Sequence, residues 1–260
     1  MKMDLQSVPM TTKRMGRAFR FLQETGSTNR DADAAGASGA PEGLLIAADT
    51  QTAGRGRMTR GWFSPAGVNL YCSLLLRPDV APHCAASLPL VIGLAVAEGL
   101  AEYAPSLQPK IKWPNDVHIN GKKICGILCE MQLKGDTIDY LVAGLGVNVN
   151  VLTGQLPPEL WASATSVAIE IGQETSREKV LASILNRFEP LYDQWRAFGF
   201  NALVQQVNML DTLRNKPVRI EIAGKPAEGI ACGIQSDGAL LLKTANGLIP
   251  VYSGEAHLLP

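Results

Sequence analysis

Between Gln51 and Trp62 the chain reads QTAGRGRMTRGW, which sets Arg55, Arg57 and Arg60 within six residues on a backbone interleaved with Gly54, Gly56 and Gly61. Glycine lets main-chain N–H groups come close to a ligand, and arginine offers carboxylate or phosphate a planar fork of donors. A solvated basic loop is the competing reading, but glycine interleaving adds little to solubility and much to wrapping an anion. The familiar nucleotide motifs do not fit. The glycines do not open a helix, and Gly54-x-Gly56 is followed by Met58, Thr59 and Arg60 rather than by Gly-Lys-Ser/Thr.

Two further stretches carry chemistry. In Lys112-Trp113-Pro114-Asn115-Asp116, Lys110 and Lys112 share one face of a strand while Ile111 and Trp113 take the other, and Pro114 ends the strand. Asn and Asp favour turns for local reasons. With an arginine-glycine loop in the same domain, however, Asp116 and the following Lys123 become partners for an anionic ligand. In Gly144-Leu145-Gly146-Val147-Asn148, alternate glycines strip one sheet face of side chains. That leaves room for a neighbouring group or a ligand, with Asn148 able to hydrogen-bond into it; tight packing on a helix is the alternative. Thr28 and Asp31 have capping-box spacing, so a helix is expected to start there. Ser27 and Thr28 then either cap it or face a ligand.

The elements that must position these residues follow from periodicity and turn residues. Strands are expected at 18–22, 43–49, 68–77 and 110–113, so the arginine loop is bracketed by two strands. Apolar spacing predicts helices over 84–103 and 177–199, the latter continued over 201–209, and 163–167 can start a short one. Asn120-Gly121 and Lys134-Gly135-Asp136 are hairpin turns joining 117–119, 123–133 and 137–148 into antiparallel sheet. From Leu213 short strands punctuated by glycine turns suggest a small β-barrel. The expected division is a loose leader at 1–16, a main domain at 17–212 and the C-terminal module at 213–260.

The 260 residues, 46% hydrophobic and 18% charged, suit a globular protein with a substantial core. Lys+Arg and Asp+Glu both total 24, against the basic excess of a general nucleic-acid or membrane-surface binder. The start, MKMDLQSVPM, lacks signal-peptide character, and no uninterrupted apolar run approaches a membrane span. A cytoplasmic protein is expected. Its five cysteines lack paired C-x-x-C spacing, so they are read as reduced thiols, and no residue is assigned as a metal ligand.

From about Phe21 to the C-terminus these stretches together resemble the catalytic core of biotin protein ligases. The resemblance is carried by Ser27-Thr28-Asn29, the Gln51–Trp62 stretch, KWPND at 112–116, Lys123 leading into Gly126-Ile127-Leu128-Cys129-Glu130, and GLGVN ending at Asn148, in the family's order and spacing. Met58-Thr59 departs from it, at a place often basic and glycine-rich in relatives. The resemblance implies an α+β fold, a mixed, largely antiparallel sheet flanked by helices like that of class II aminoacyl-tRNA synthetases, with a C-terminal SH3-like β-barrel. It implies activation of biotin by ATP, with Mg²⁺, to biotinyl-5′-adenylate, and transfer to a lysine of the biotin carboxyl carrier domain of acetyl-CoA carboxylase and similar carboxylases. By motif matching, Ser27, Thr28, Asn29, Gln51, Gly54 and Arg55 hold biotin, and Lys123 contacts the carboxylate and phosphate oxygens. Arg57 and Arg60 contact phosphate, Trp62, Gly126, Ile127 and Asn148 border the nucleotide, and Lys112 and Asp116 orient the reacting groups; the family's counterpart of Asp116 lies close to the acceptor lysine, which implies a role for Asp116 in accepting its proton. Core packing is the stronger prior for Trp62 and Trp113, and Trp161 is a candidate for adenine stacking. Only about twenty residues precede the resemblance, too few for the DNA-binding domain of the family's repressors, so no nucleic-acid partner is expected; a homodimer through sheet edges is. The rivals are a lipoate or octanoate ligase or transferase and a non-catalytic biotin sensor. Cys72, Cys84, Cys125 and Cys129 sit in apolar runs without a neighbouring His, against a thiol nucleophile. Lys123 and the three arginines argue against a mere sensor.

Overall fold

The computed structural model describes residues 3–222 and 224–259. Its main sheet uses β1 (Phe19–Thr25), β2 (Leu45–Gln51), β3 (Leu70–Leu76), β4 (Lys110–Lys112), β5 (Asp116–Ile119), β6 (Lys122–Lys134) and β7 (Thr137–Val147). Their spatial order is β1-β2-β3-β7-β6-β5-β4. Only β1 and β2 run parallel, because α1 (Thr28–Ala37) carries the chain back between them; every other neighbour is antiparallel. The β5–β6 turn puts Asn120 and Gly121 at positive φ, as its Asn-Gly pair predicts.

One face of the sheet is covered by α2 (Leu88–Tyr103) and α4 (Arg177–Phe198), which form the principal core with it. Val180, Leu181, Ile184, Leu185, Phe188, Leu191, Tyr192 and Trp195 are buried at the spacing read from the sequence. The segment Pro82–Tyr103 has a mean hydropathy of 1.8, enough by length and composition for a membrane span, but 72% of that window is buried inside the protein. It is therefore a core helix. The other face is covered only in part: α1 packs over Ile46, Leu75, Tyr140 and Val142. Beyond the end of α1 the face over β5, β6 and β7 is open.

The first residues are not a loose leader. Met3, Leu5 and Met15 are buried in the principal core. Glu189 of α4 accepts hydrogen bonds from the main-chain N–H groups of Lys13, Arg14 and Met15 at 2.8, 3.0 and 2.8 Å. Burial opposes the Glu189 charge, but these three donors outweigh it and hold its carboxyl below the usual carboxylate range. The segment lacks periodicity because it is anchored by a distant carboxylate rather than by its own regular structure.

After α5 (Val204–Leu210), strands β8 (Pro217–Ile222), β9 (Lys225–Ile234), β10 (Leu240–Thr244), β11 (Gly247–Val251) and β12 (Ala256–Leu258) form an antiparallel sheet in the order β11-β10-β9-β8-β12. Among the described residues its two edges do not pair, so the expected barrel is an open one. Val218, Ile220, Ala231, Leu240 and Leu242 join the principal core, and Trp113 Nε1 donates to Gly238 O at 3.1 Å. Trp113 is thus a packing residue that ties the KWPND strand to this module.

Candidate active site

The open half of the sheet floors a cavity of about 370 Å³. Its base is Gly126 on β6 with Gly144 and Gly146 on β7, and both β7 glycines are occupied from above. A Cβ on Gly144 would lie 2.1 Å from Asn29 Oδ1, and one on Gly146 would lie 2.3 Å from the Trp62 indole. The alternate glycines therefore admit a ring and a carboxamide against bare backbone. Asn148, by contrast, spends its carboxamide beside the cavity. Its Nδ2 donates to Thr165 O at 3.0 Å, and its Oδ1 accepts from Asn69 Nδ2 at 3.3 Å. It fixes the strand end and leaves only an edge toward the cavity.

The charged wall comes from neighbouring strands. Lys123 Nζ lies 2.7 Å from Asp116 Oδ1 and 5.3 Å from the centre of the Trp62 ring. The Lys123 backbone is pinned on both sides, its N–H to Ser163 O at 2.7 Å and its carbonyl to Thr165 N at 2.9 Å. Asn115 links this wall to the loop: its Nδ2 donates to Ile127 O at 2.7 Å while its Oδ1 accepts from Arg57 Nη1 at 3.1 Å. Lys112 lines the cavity from β4.

The arginine-glycine loop closes as a narrow hairpin. Trp62 N–H donates to Gly54 O and Gly56 N–H to Arg60 O, at 2.9 and 2.7 Å. Gly54 does not line the cavity; its role is close approach, since a Cβ there would meet Trp62 O at 2.6 Å. At the tip, Met58 and Thr59 have φ of 53° and 62°, the left-handed region that glycine occupies freely and a β-branched residue resists. Each arginine is already paired. Arg55 Nη2 is 2.5 Å from Glu130 Oε2. Arg57 Nη1 also donates to Gly254 O of the C-terminal module at 3.2 Å, and Arg60 makes a two-pronged pair with Glu255. Burial lowers the Arg57 pKa, whereas the hydrogen bond to Glu255 raises that of Arg60.

The far end is a network of neutral polar groups that terminates on the Arg55–Glu130 ion pair. Gln51 Oε1 accepts from Thr28 N–H at 3.0 Å and from its hydroxyl at 3.2 Å. Ser73 Oγ lies 2.8 Å from Thr28 Oγ1 and donates to Asn29 Oδ1 at 2.6 Å, and Asn29 Nδ2 donates to Glu130 Oε2 at 2.7 Å. The expected Thr28–Asp31 capping box is absent. Ser27 is the N-cap without a side-chain bond, Gln51 serves Thr28, and Asp31 accepts from Thr25 at 2.6 Å. Ser27 and Thr28 are therefore free of capping duty and line the cavity with Asn29 and Gln51.

Comparison with known proteins matches residues 20–148 to the Biotin/lipoate A/B protein ligase family and residues 214–259 to the biotin protein ligase C-terminal domain. The bifunctional ligase/repressor BirA of Bacillus subtilis is 37% identical over 249 residues, covering 96% of this chain and 76% of that protein. The biotin–[acetyl-CoA-carboxylase] ligase of Mycobacterium tuberculosis is 33% identical over 249 residues, covering 93% and 90%. The chain belongs to the biotin protein ligase family. Among solved structures, the Aquifex aeolicus biotin protein ligase in complex with biotin and ATP has a TM-score of 0.79 at 30% identity, covering 94% of this chain and 99% of that one.

Set against this family's motifs, every residue expected at the site lines the one cavity except Gly54 and Trp161. Trp161 is 46% exposed and donates its Nε1 to Leu156 O at 2.9 Å, so its ring is held outside the cavity. Three cavity or loop partners had no role in the sequence reading: Glu130, Glu255 and His118. Glu130 ends a motif quoted for the ligases, whereas Glu255 has no local signal. The rival thiol chemistry finds no support: burial pushes Cys72 and Cys129 up to about 12, and Cys125 further. Among the described residues no group of three or more His, Cys, Asp or Glu could hold a metal ion.

Proposed function

We propose that this cavity makes biotinyl-5′-adenylate from biotin and ATP and passes the biotinyl group to a lysine of a biotin carboxyl carrier domain. The protein is a biotin protein ligase, an enzyme that forms a C–N bond. The observation that carries the assignment of roles is the convergence of Lys123, Arg57 and Arg60 on a glycine-floored cavity whose other end is neutral and polar. A carboxylate and a polyphosphate repel one another, and preorganised cations suppress that repulsion as charge shifts in the transition state. The neutral network of Ser27, Thr28, Asn29 and Gln51 suits the uncharged ureido ring of biotin, and Lys123 stands where its carboxylate must meet the α-phosphate. One carboxylate oxygen attacks phosphorus and pyrophosphate leaves with the electron pair of the broken P–O bond. Arg57 and Arg60 reach the phosphates only by giving up Asn115, Gly254 and Glu255. Trp62 borders the nucleotide, and Asp116 orients Lys123. The loop then keeps water from the anhydride until the acceptor amine arrives.

Among the described residues no side-chain group forms a metal site, so Mg²⁺ would enter on the phosphates of ATP, and no step here depends on it. The acceptors in this reading are the biotin carboxyl carrier domains of acetyl-CoA carboxylase and similar carboxylases, encountered in the cytoplasm. A homodimer by pairing of sheet edges belongs to the same reading; among the described residues the edge strands of the main sheet are β1 and β4. ATP–pyrophosphate exchange with biotin, lipoate or octanoate supplied separately tests the assignment. Exchange with biotin is expected; exchange only with lipoate or octanoate would overturn it.

A further inference from the structure

We propose that Glu130 and Ser73 decide which ring the neutral end of the cavity accepts, by fixing the direction of a hydrogen-bond chain that ends at Thr28. This rests on the ligase reading above and deepens it. Neither residue is among those that line the cavity. Ser73 is fully buried on β3, and Glu130 stands behind Asn29, so both act through their neighbours as positioning residues.

The direction follows from counting hydrogens. Glu130 Oε2 is held by Arg55 Nη2 at 2.5 Å, and a carboxylate in such a pair only accepts. The Asn29 side-chain atom that lies 2.7 Å from this oxygen and 3.2 Å from Leu128 O must therefore be the amide nitrogen, which turns Asn29 Oδ1 toward Ser73. Ser73 Oγ is 2.6 Å from that oxygen and has a single hydrogen, which it spends there. None is left for Thr28, whose Oγ1 lies 2.8 Å from Ser73 Oγ. The other neighbour of Thr28 has no hydrogen to give either. Ser64 donates to Trp62 O at 2.9 Å, so its Oγ accepts from Gln51 Nε2 at 3.1 Å, and the Gln51 carboxamide turns its oxygen to Thr28. Flanked by two oxygens that only accept, Thr28 aims its own hydrogen at them. What it shows the cavity is a lone pair.

The consequence is chemical selection. Thr28 is 3% exposed, so water cannot freely replace a missing partner, and a ligand seated here has to bring a donor. A ureido ring brings N–H groups. The dithiolane of lipoate and the hydrocarbon tail of octanoate bring none, and a ring oxygen would set lone pair against lone pair. A site built to bond a substrate N–H rejects the analogue that lacks it far more strongly than an apolar pocket rejects a wrong shape. The Glu130 charge thus reaches the ligand as polarity, relayed through Asn29, Ser73 and Thr28.

The probes are biotin and its two cyclic carbamate analogues, in each of which one ureido N–H is replaced by oxygen, with affinities measured by calorimetry on the full chain. On the wild type one of the two carbamates should bind about 10–100-fold more weakly than biotin, the scale for a buried polar group left unpaired. Glu130→Gln keeps the size of the side chain and still accepts from Arg55, but its amide lets Asn29 turn over. Ser73 can then donate to Thr28, and the Thr28 hydrogen becomes available to the cavity. Biotin should weaken and the disfavoured carbamate gain, so that their ratio narrows by about tenfold. Ser73→Ala removes one of the two oxygens that hold the Thr28 hydrogen and should narrow the ratio as well. A role confined to structure would weaken all ligands alike. Both carbamates binding the wild type as tightly as biotin, or a ratio left unchanged by either variant, would overturn the inference. Absence of biotin-dependent pyrophosphate exchange in the wild type would instead overturn the ligase reading itself.

Discussion

The two halves of the active site are held by different forces. The sheet half, with Lys123, Asp116 and the glycine floor, is locked into backbone ladders: β7 pairs with β3 and β6 along its length, and Lys123 is pinned by Ser163 and Thr165. The loop half, Gly54 to Trp62, has a few backbone bonds of its own and is otherwise held by arginine side chains on Glu130, Asn115, Gly254 and Glu255. A phosphate can replace a carboxylate or carbonyl on an arginine, but nothing replaces a strand. In the proposed function the first half therefore fixes where the reaction would happen, and the second would exchange its protein partners for the substrate.

If this contrast is right, the gravest losses come from the sheet. Lys123→Ala should lower biotin-dependent adenylate formation by about 10²–10³-fold, the range for removing one preorganised electrostatic contact. The fold should survive, because the side chain is 32% exposed and its backbone bonds remain. Pyrophosphate exchange together with a melting curve checks both; undiminished exchange would remove Lys123 from the mechanism. Next comes Gly144→Ala. The new methyl would meet Asn29, whose carboxamide is already held by Ser73, Leu128 O and Glu130 and cannot step aside. Overpacking of this kind costs about 1–3 kcal/mol, and a visibly lower melting temperature with loss of biotin binding is expected. Gly61→Ala in the loop is the control. Its nearest neighbour would be Gly54 O at 3.9 Å, so binding and stability should stay near wild type.

The same contrast separates what sequence could and could not show. The glycine floor was legible because alternate glycines on a strand strip one face wherever that strand lies, and Asp116, Lys123 and Arg57 stood out because charges and glycines at strand ends are local patterns. The partners of the loop were not legible. Gly254 and Glu255 lie almost two hundred residues further along, and nothing in SGEAH announces an arginine contact. The capping reading of Thr28 failed for a related reason: Gln51, from the next strand, outcompetes Asp31 for the helix start. Asn148 was found, but its bonds run to Asn69 and Thr165, which only the fold brings together.

Loop variants should therefore alter retention more than catalysis. Arg57→Gly removes the bonds to Asn115 and Gly254 and should release adenylate roughly tenfold faster, as expected for losing hydrogen bonds from a charged group worth about 1.5 kcal/mol. Biotin appearing on bystander lysines measures it; no increase over wild type would deny the loop its sequestering role. Glu255→Gln should do less. Both partners are partly exposed, at 63% for Arg60 and 31% for Glu255, so the pair is worth at most about 1 kcal/mol and KM for ATP should change less than about fivefold. The hydrogen bond from Arg60, despite partial burial, lowers the Glu255 pKa. The pair is therefore complete above the usual carboxylate range and is lost as pH falls through the lowered value. Any difference between variant and wild type should persist at neutral pH and vanish on strong acidification.

The smallest effect is expected at the tip. Thr59 holds φ of 62° with a β-branched side chain, a conformation that costs about 1–3 kcal/mol. Glycine would relieve it, but glycine also enlarges the unfolded ensemble, and the two terms nearly offset. Thr59→Gly should leave the melting temperature almost unchanged while making closed and open loop shapes closer in energy. Its trace would be a modest rise in adenylate leakage, below that of Arg57→Gly. A leakage equal to that of Arg57→Gly would mean that the strained tip, rather than the arginine contacts, keeps the loop closed, and the division between ladder-held and arginine-held halves would have to be redrawn.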